Sequence, residues 1–445
     1  MAKDKWAAII GCADPLEKFE HSLVVGIVML GLVLRLTLIF GFSTYRISDE
    51  QNHWPFGFET GRVAAALVEG RGFSSPFQEP TGPTAWLTPG YPALLAVIFK
   101  GFGTYSQTSA MVALALNSLL AALTCWVCCR LGKIIFGTNV GLGSAAFLAF
   151  YPPSIWHAIN TIWDTTLFAL AVLFLVLYLY RMALNPTDVA SAGAGALMGA
   201  LLLINPAILP FYFLVLVWLW LQHEGVVRKK LRSLCIILVL MATVVSPWML
   251  RNYYALGRLV LKSNIALELK RGNNLQAWQT WRTRDWESVH PSISAIEFKR
   301  YAQMGEMPYL DRCMEEAREF ITSHPKKFLQ LVMRRHLYFW FGEINEANEW
   351  TGNVRVGGSI SWIKRLCYWI PLPFFVIGTW AACRQRLRVG LLVLLLAGFP
   401  IPYYITHVTN RYRYPMEPVM LLLATHGLLV ILRKFIGRMK KRAPG

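Results

Sequence analysis

Long apolar segments alternate with short polar ones along most of this chain. A helix that crosses the hydrocarbon core of a bilayer needs about 20 predominantly apolar residues, and several segments reach that length. Basic residues cluster at alternate ends of the segments, which marks those ends as cytoplasmic. The pattern predicts an all-α polytopic membrane protein with about ten transmembrane helices and both chain ends inside. The predicted spans are 23–42, 110–131, 139–156, 164–181, 189–204, 207–222, 233–250, 366–382, 389–406 and 416–433.

Two polar stretches are too long to be turns between spans. The first, 43–109, is predicted to be an external loop with juxtamembrane helices, because its apolar helix from Tyr91 to Lys100 is too short to cross. The second, 251–361, is predicted to be a mostly helical external domain that includes a basic, aromatic interfacial helix over 326–341. These stretches divide the chain into three regions. They are an N-terminal transmembrane region at 1–250 that contains the loop, the external domain at 251–361, and a C-terminal transmembrane region with a basic cytoplasmic tail at 362–445.

Composition agrees with a membrane protein. The 445 residues are 55% hydrophobic and carry a formal net charge of +19, and the mean hydropathy is +0.42. The basic residues lie between apolar runs, as topology signals and phosphate contacts do, and no nucleic-acid motif occurs. Most of the eight cysteines fall in apolar segments, so a disulfide framework is not expected. The sequence has no N-x-S/T sequon, which favours a prokaryotic membrane.

Three acids of the first loop, Asp49, Glu50 and Glu59, lie close to the expected membrane surface. A carboxylate beside apolar groups is costly unless it is paired, because desolvation disfavours its charged form. Arg62, three residues after Glu59, is the obvious partner, and a surface salt bridge at a helix start is one interpretation. Glu59 begins a helical pattern and shares an apolar face with Val63, Ala66 and Leu67.

The order of features in the loop is specific enough to suggest a family. After an acid and a small-residue helix come Gly-x-Gly-Phe at 70–73, Pro-x-Tyr-Pro at 89–92 and Phe-Gly at 102–103. Over 45–103 this order resembles the first external loop of GT-C superfamily glycosyltransferases, which include protein O-mannosyltransferases and the lipid A aminoarabinose transferase. Weaker similarities lie at 205–206, 246–252 and 411–415.

The sequence also departs from the aminoarabinose transferase pattern. That pattern has a lysine before its proline-rich turn, where this chain has Trp86, Leu87 and Thr88. The Asp49-Glu50 pair lies too far upstream of the small-residue helix, and Glu59 is nearer. The sequence therefore favours Glu59 as the catalytic base, and it argues against lipid A as the molecule that receives the sugar.

The resemblance implies an enzyme that moves a sugar from a polyprenyl-phosphate carrier to a hydroxyl of a glycan, lipid or protein acceptor, with inversion. This chemistry needs a base for the hydroxyl proton and cations for the departing phosphate, at the depth of the lipid headgroup. Arginine suits the phosphate because it stays charged and donates in a planar array. The candidate catalytic acids are Glu59, Asp49, Glu50 and Asp164. The candidate lipid-phosphate ligands are Arg251, Arg411, Arg413, Arg35, His407 and Lys262.

Each candidate also has a structural interpretation. Asp164 can be an acid at a helix N-terminus that the helix dipole favours. Arg35, inside the first span, can extend its charge to the interface. Arg251 and Arg411 can be interface anchors beside aromatic residues.

The remaining expectations concern partners and alternatives. No metal-ligand cluster is evident and no cofactor is certain, and a divalent cation stays open. Membrane lipids are expected partners, and nucleic acid is not. The expected location is a bacterial inner membrane with the site facing the periplasm. The rival function is a secondary transporter or lipid flippase, although related halves, which transporters tend to show, are not visible. A non-catalytic scaffold would explain the spans but not the acid-rich loop.

Overall fold

The computed structural model describes residues 15–47, 56–222, 226–280, 288–342, 350–351, 354–355 and 365–442. In chain order the α-helices are α1 (Pro15–Gly41), α2 (Glu59–Val68), α3 (Gly90–Phe102), α4 (Gln107–Phe136), α5 (Thr138–Ala149), α6 (Pro152–Asn160), α7 (Thr165–Leu184), α8 (Asp188–Leu202), α9 (Leu209–Gln222), α10 (Val227–Leu256), α11 (Ile265–Gly272), α12 (Leu275–Gln279), α13 (Ala295–Met304), α14 (Glu306–Ser323), α15 (Pro325–Phe341), α16 (Pro371–Arg384), α17 (Gly390–Gly398), α18 (Ile401–Ile405) and α19 (Glu417–Arg442). Two 3₁₀ helices, Pro206–Ile208 and Asn410–Met416, and two paired two-residue strands, Trp350–Thr351 and Val354–Arg355, complete the described elements.

Six helical segments of the described chain are long and apolar enough to cross a membrane. They are Phe19–Gly41, Gln107–Phe136, Thr165–Leu184, Val227–Leu256, Arg365–Arg384 and Asn410–Ile436. Shorter apolar helices lie at Gly90–Phe102, Asp188–Leu202, Pro206–Gln222 and Gly390–Ile405. The all-α polytopic fold is therefore confirmed, whereas the count of ten spans is not. The division at residues 250 and 361 stays a prediction.

Prolines explain why two predicted spans are shorter than expected. The segment predicted at 139–156 is broken between α5, which ends at Ala149, and α6, which begins at Pro152. The segment predicted at 389–406 is broken near Pro400, between α17 and α18. A proline inside a helix removes one backbone hydrogen bond and clashes with the preceding turn, so the helix ends or bends there.

Small residues allow the transmembrane helices to approach closely. A Cβ atom added at Gly195 of α8 would lie 2.4 Å from the Ile237 carbonyl oxygen of α10. One added at Gly378 of α16 would lie 1.9 Å from the Leu423 carbonyl oxygen of α19. Glycine at these positions allows the backbones of neighbouring helices to come close together.

The segment predicted to be the first external loop folds back on itself between α2 and α3. Three of its glycines, Gly70, Gly72 and Gly82, have positive φ angles, between 72° and 82°, which glycine adopts readily in turns. Ser74 and Pro83 pair as an isolated antiparallel bridge, so the chain reverses between them. The loop then leads into α3, the juxtamembrane helix that the apolar pattern predicted, which is 13 residues long.

The loop packs against the external domain through a buried carboxylate and an aromatic cluster. Glu306, at the start of α14, accepts hydrogen bonds from four donors: Thr84 Oγ1, Ala85 N, Ser263 Oγ and Tyr301 Oη. Around it, the Phe77 ring lies 4.9 Å from that of Trp86 and 4.7 Å from that of Tyr301. The polar and apolar contacts together fix the loop to α13 and α14.

Helix α15 has one face that remains exposed. Leu329, Met333, Leu337 and Phe341 recur every four residues and are between 47% and 61% exposed. Side chains at this spacing share one helix face. An exposed apolar stripe on a basic helix supports the interfacial position that the sequence predicts over 326–341.

Candidate active site

Glu59 is the first residue of α2, where a tight turn places it at the boundary of loop and external domain. The two residues before it, Gly57 and Phe58, both have positive φ angles, of 76° and 42°. The Glu59 side chain is 15% exposed. Its Oε1 accepts a hydrogen bond of 3.0 Å from Ser292 Oγ of the external domain. Val63, four residues later on α2, is fully buried, whereas the Glu59 carboxylate contacts Ser292.

His290 faces the same carboxylate oxygen. Its Nε2 lies 3.5 Å from Glu59 Oε1, and its Nδ1 accepts a hydrogen bond of 3.1 Å from the backbone N–H of Ser292. Because Nδ1 accepts, the proton of a neutral imidazole is assigned to Nε2, which points to Glu59. His290 therefore presents an N–H group to the carboxylate without adding a charge.

The charges of the two groups follow from their surroundings. Burial raises the pKa of Glu59, and the charge of Glu268 raises it further, while Arg62 and the Ser292 hydroxyl oppose the rise. Burial, together with the charges of Arg271 and Arg62, holds the pKa of His290 well below its ordinary value. A carboxyl group with a raised pKa is a stronger base, and His290 stays neutral at physiological pH.

A second acid, Glu268 of α11, lies at the centre of a group of polar side chains. Its Oε2 is 2.7 Å from Arg271 Nη1 and 3.2 Å from His407 Nδ1. The Nε2 atom of His407 lies 2.9 Å from the Tyr412 hydroxyl. These contacts connect the external domain to the segment that precedes the last transmembrane helix, so His407 is held beside the carboxylates.

Arg411 and Asp164 complete the cluster on the transmembrane side. The Arg411 guanidinium lies over the Trp163 ring, 3.9 Å from its centroid, and both Asp164 and Glu59 lie within electrostatic reach of it. Asp164 Oδ2 accepts a hydrogen bond of 3.1 Å from Asn205 Nδ2. Asp164 precedes α7, but its side chain makes no capping hydrogen bond with that helix. The structure thus brings four predicted site residues into one group: Glu59, Asp164, Arg411 and His407.

Arg251 lies elsewhere, against the loop backbone. Its Nη1 donates to the Thr84 carbonyl at 2.6 Å, and its Nη2 donates to the Phe73 carbonyl at 2.5 Å. The guanidinium also lies 5.2 Å from the Trp248 ring. Arg251 therefore connects the end of α10 to the two sides of the loop hairpin. Lys262 is half-buried nearby in sequence, and the role of both residues as phosphate ligands stays a prediction.

Arg413 and Arg35 are buried between helices. Arg413 lies 3.3 Å from Glu417, over the Tyr368 ring, and donates to the Trp340 carbonyl at 2.8 Å. Arg413 thus forms an ion pair with Glu417 and connects α15 to α19.

Arg35 of α1 is fully buried and donates to the Ala149 carbonyl at 2.9 Å and to Ser154 Oγ at 3.0 Å. It therefore satisfies a backbone oxygen at the break between α5 and α6. For Arg35, as for Arg413, phosphate binding stays a prediction.

Asp49 and Glu50 lie outside the described residues, and their predicted catalytic role stays a prediction. Within the described ranges, no three His, Cys, Asp or Glu side chains are grouped so as to hold a metal ion.

Several site residues are absent from the sequence-based set: Glu268, Arg271, His290, Ser292 and Arg335. Arg335 is buried in α15 and donates to the Ile405 carbonyl at 2.8 Å and to Asn273 Oδ1 at 3.0 Å, which fixes the segment before His407. A local signal exists for Glu268 and Arg271, whose i,i+3 spacing on an amphipathic helix predicts a pair. The others are brought to the site by long-range packing.

The fold is the GT-C fold that solved membrane glycosyltransferases share. The archaeal oligosaccharyltransferase AglB from Archaeoglobus fulgidus, in complex with an inhibitory peptide and a dolichol-phosphate, is similar with a TM-score of 0.54 and 12% sequence identity. The similarity covers 96% of this chain and 52% of that one, so the chain spans about half the length of this relative.

Two further structures of the Archaeoglobus fulgidus oligosaccharyltransferase agree. The apo form is similar with a TM-score of 0.51 and 12% identity, over 94% of this chain and 52% of that one. The complex with Zn and sulfate is similar with a TM-score of 0.51 and 11% identity, over 93% and 50%. No protein-family model matches the sequence, and no curated protein matches it. The structural similarity confirms the GT-C fold that the sequence resemblance implied.

Proposed function

We propose that this protein is a glycosyltransferase that moves a sugar from a polyprenyl-phosphate carrier to an acceptor hydroxyl on the external face of the membrane. The observation that carries the proposal is the grouping of two carboxylates, Glu59 and Asp164, with the cation Arg411 at one end of the helix bundle. A carboxylate with a raised pKa and a nearby guanidinium are the two groups that this transfer requires.

The proposed reaction is a single displacement. Glu59 takes the proton of the acceptor hydroxyl while that oxygen forms a bond to the anomeric carbon of the sugar. The bond from that carbon to the phosphate oxygen breaks, and its electron pair leaves with the polyprenyl phosphate. One attack on the opposite face inverts the anomeric carbon. Arg411 stabilises the negative charge on the departing phosphate, as charge-assisted hydrogen bonds do in a site that excludes water.

His290 and Ser292 have a positioning role in this scheme. The Ser292 hydroxyl, and the His290 N–H group at a greater distance, face Oε1 of Glu59. Oε2, which accepts no hydrogen bond from a described side chain, would take the acceptor proton. Because His290 is neutral, it orients the carboxylate without forming an ion pair, so Glu59 keeps its basicity.

The bound groups of the relatives support the donor class. One AglB structure is a complex with a dolichol-phosphate, which is a polyprenyl phosphate, and another contains Zn and sulfate. Within the described ranges no three His, Cys, Asp or Glu side chains are grouped to hold a metal ion, and a divalent cation stays open. The proposed location is a bacterial inner membrane, with the site facing the periplasm.

Transfer and transport can be told apart in proteoliposomes. We would reconstitute the purified protein with a polyprenyl-phosphate sugar, radiolabelled in the sugar, and add acceptor outside. A transferase releases polyprenyl phosphate and moves the label to the acceptor. A transporter or flippase moves the intact donor between leaflets, and label that stays on the carrier would contradict the proposal.

A further inference from the structure

The end of the helix bundle opposite the candidate active site has a cavity between α1, α4 and α5. Helix α4 begins next to the first external loop and is 30 residues long, so its last turn lies about 45 Å away, across the bilayer. The cavity has a volume of about 470 Å³, which is within the usual range of ligand sites. Its lining residues include Glu20, Val24, Trp126, Arg130, Lys133 and Leu142.

The cavity is lined by one acidic and two basic side chains, Glu20, Arg130 and Lys133. Lys133 Nζ lies 2.6 Å from Glu20 Oε2, so this pair connects α4 to α1 and is neutral as a unit. Arg130 is exposed at the rim, and its guanidinium lies 5.4 Å from the centroid of the Trp126 ring. Among the described side chains, no carboxylate forms an ion pair with Arg130. The lining residues therefore carry a net positive charge that an anion can neutralise.

We propose that this cavity binds the phosphate headgroup of an anionic phospholipid from the leaflet opposite the active site. Arg130 would contact the phosphate, and the apolar wall at Val24 and Leu142 would contact the start of an acyl chain. The cavity lies at the end of a transmembrane helix, where lipid headgroups are, and basic pockets between such helix ends suit anionic lipids. The site is independent of the catalytic proposal, because it shares no residue with it.

Trp126 provides a direct reporter for the test. The purified protein would be placed in nanodiscs of phosphatidylcholine with increasing amounts of phosphatidylglycerol that carries brominated acyl chains, which quench tryptophan on contact. The share of quenching due to Trp126 is the difference between the wild type and Trp126→Phe. The proposal predicts that brominated phosphatidylglycerol quenches this share at lower mole fractions than brominated phosphatidylcholine does.

Arg130→Gln should weaken that preference about fivefold, the effect of one basic residue near a lipid surface. Arg130→Lys should retain most of it, because the charge remains. The matched control is Arg384→Gln. Arg384 lies 5.3 Å from the Trp380 ring, the same kind of pair on another helix, and its change should leave the Trp126 signal unaltered.

Three results would overturn the proposal. Equal quenching of Trp126 by both lipids would show that the headgroup is not recognised. An unchanged preference in a folded Arg130→Gln variant, as judged by its melting temperature, would remove the phosphate contact. Relief of the quenching by inorganic phosphate would assign the cavity to a soluble anion.

Discussion

The first external loop meets the external domain at two carboxylates, and these are held in different ways. Glu306 is buried and has four donors on its two oxygens: Thr84 Oγ1, Ala85 N, Ser263 Oγ and Tyr301 Oη. Glu59 is partly exposed, with Ser292 Oγ at 3.0 Å and His290 Nε2 at 3.5 Å, both facing Oε1.

The comparison shows why acids in similar positions suit different roles. A carboxylate whose acceptor capacity is used by protein donors holds parts of the chain together, because its removal leaves buried donors unsatisfied. A carboxylate with an available oxygen and a raised pKa can accept a proton from a substrate. Glu306 is therefore interpreted as structural, and Glu59 as catalytic.

The largest expected effect is the difference in turnover between Glu59→Gln and Glu306→Gln. Glutamine at 59 keeps the size of the side chain but cannot accept a proton, so turnover should fall by about 10²–10⁴-fold with donor binding little altered. Glu306→Gln should leave the turnover of each folded molecule within about threefold of the wild type. Rates of polyprenyl phosphate release, divided by the folded fraction, give the comparison.

Three controls accompany this prediction: Asp49→Asn, Glu50→Gln and Asp164→Asn. A larger loss of turnover at any of them than at Glu59→Gln would move the base to that residue. Intact turnover in Glu59→Gln, with a stability loss of at most about 1 kcal/mol, would mean that Glu59 is a partner in a surface pair.

Next in size is the effect of Arg411→Ala on the donor. Loss of a charge-assisted contact of about 1.5–3 kcal/mol should raise the KM for donor by about 10- to 150-fold. Arg251→Ala should instead destabilise the protein, since its guanidinium binds the Phe73 and Thr84 carbonyls. If Arg251→Ala also raises the donor KM in folded protein, the phosphate-ligand role predicted from the sequence holds for both arginines.

The third prediction concerns the contribution of Glu306 to the stability of the fold. Glu306→Gln replaces an acceptor oxygen by an N–H₂ group that opposes the donors, and should lower the free energy of unfolding by about 1–3 kcal/mol. Thermal unfolding of the purified protein measures this. Glu59→Gln is the matched control and should unfold close to the wild type. Equal melting temperatures for the two variants would show that Glu306 does not hold the loop.

The smallest effect concerns pH. Since the Glu59 pKa is raised above its ordinary 4.5, turnover should fall on the acid side at a pH above that value. The His290 N–H group stabilises the charged carboxylate, so His290→Phe should raise the pKa of Glu59 and move this limb upward by less than about one unit. His290→Asn, which can still donate, should move it less. If turnover falls at the same acidic pH in the wild type, His290→Phe and His290→Asn, His290 does not position the Glu59 carboxylate.

Glu59 and Glu306 also differ in how well the sequence predicts their roles. Glu59 is visible in the sequence because an acid beside an apolar helix needs an explanation, and Glu306 lies in a polar domain where acids are ordinary. The hydrogen-bond partner of Glu59, Ser292, could not be predicted from the local sequence. Ser292 is 233 positions away, and no local periodicity relates two segments so far apart. The expected partner, Arg62, acts on Glu59 by its charge. Ser292 and His290, which are distant in the sequence, make the close contacts with the carboxylate.

For the transmembrane spans, too, the sequence predicts local features better than features that depend on the tertiary structure. The continuous apolar helices α1, α4 and α7 were predicted because length and composition suffice to identify them. The predicted spans over 139–156 and 389–406 are broken at prolines, and hydrophobicity alone does not report such breaks. Arg35 was predicted inside the first span, but its contact with the Ala149 carbonyl depends on the break itself.

We propose that this protein transfers a sugar from a polyprenyl phosphate, with Glu59 as the base. The most direct measurement incubates purified wild type and Glu59→Gln with a panel of radiolabelled polyprenyl-phosphate sugars and a membrane extract as acceptor. We expect the wild type to convert at least one donor to polyprenyl phosphate and a labelled product of inverted anomeric configuration, and Glu59→Gln to do so at least about 10²-fold more slowly. Consumption of no donor by the wild type, or equal rates for both proteins, would contradict it.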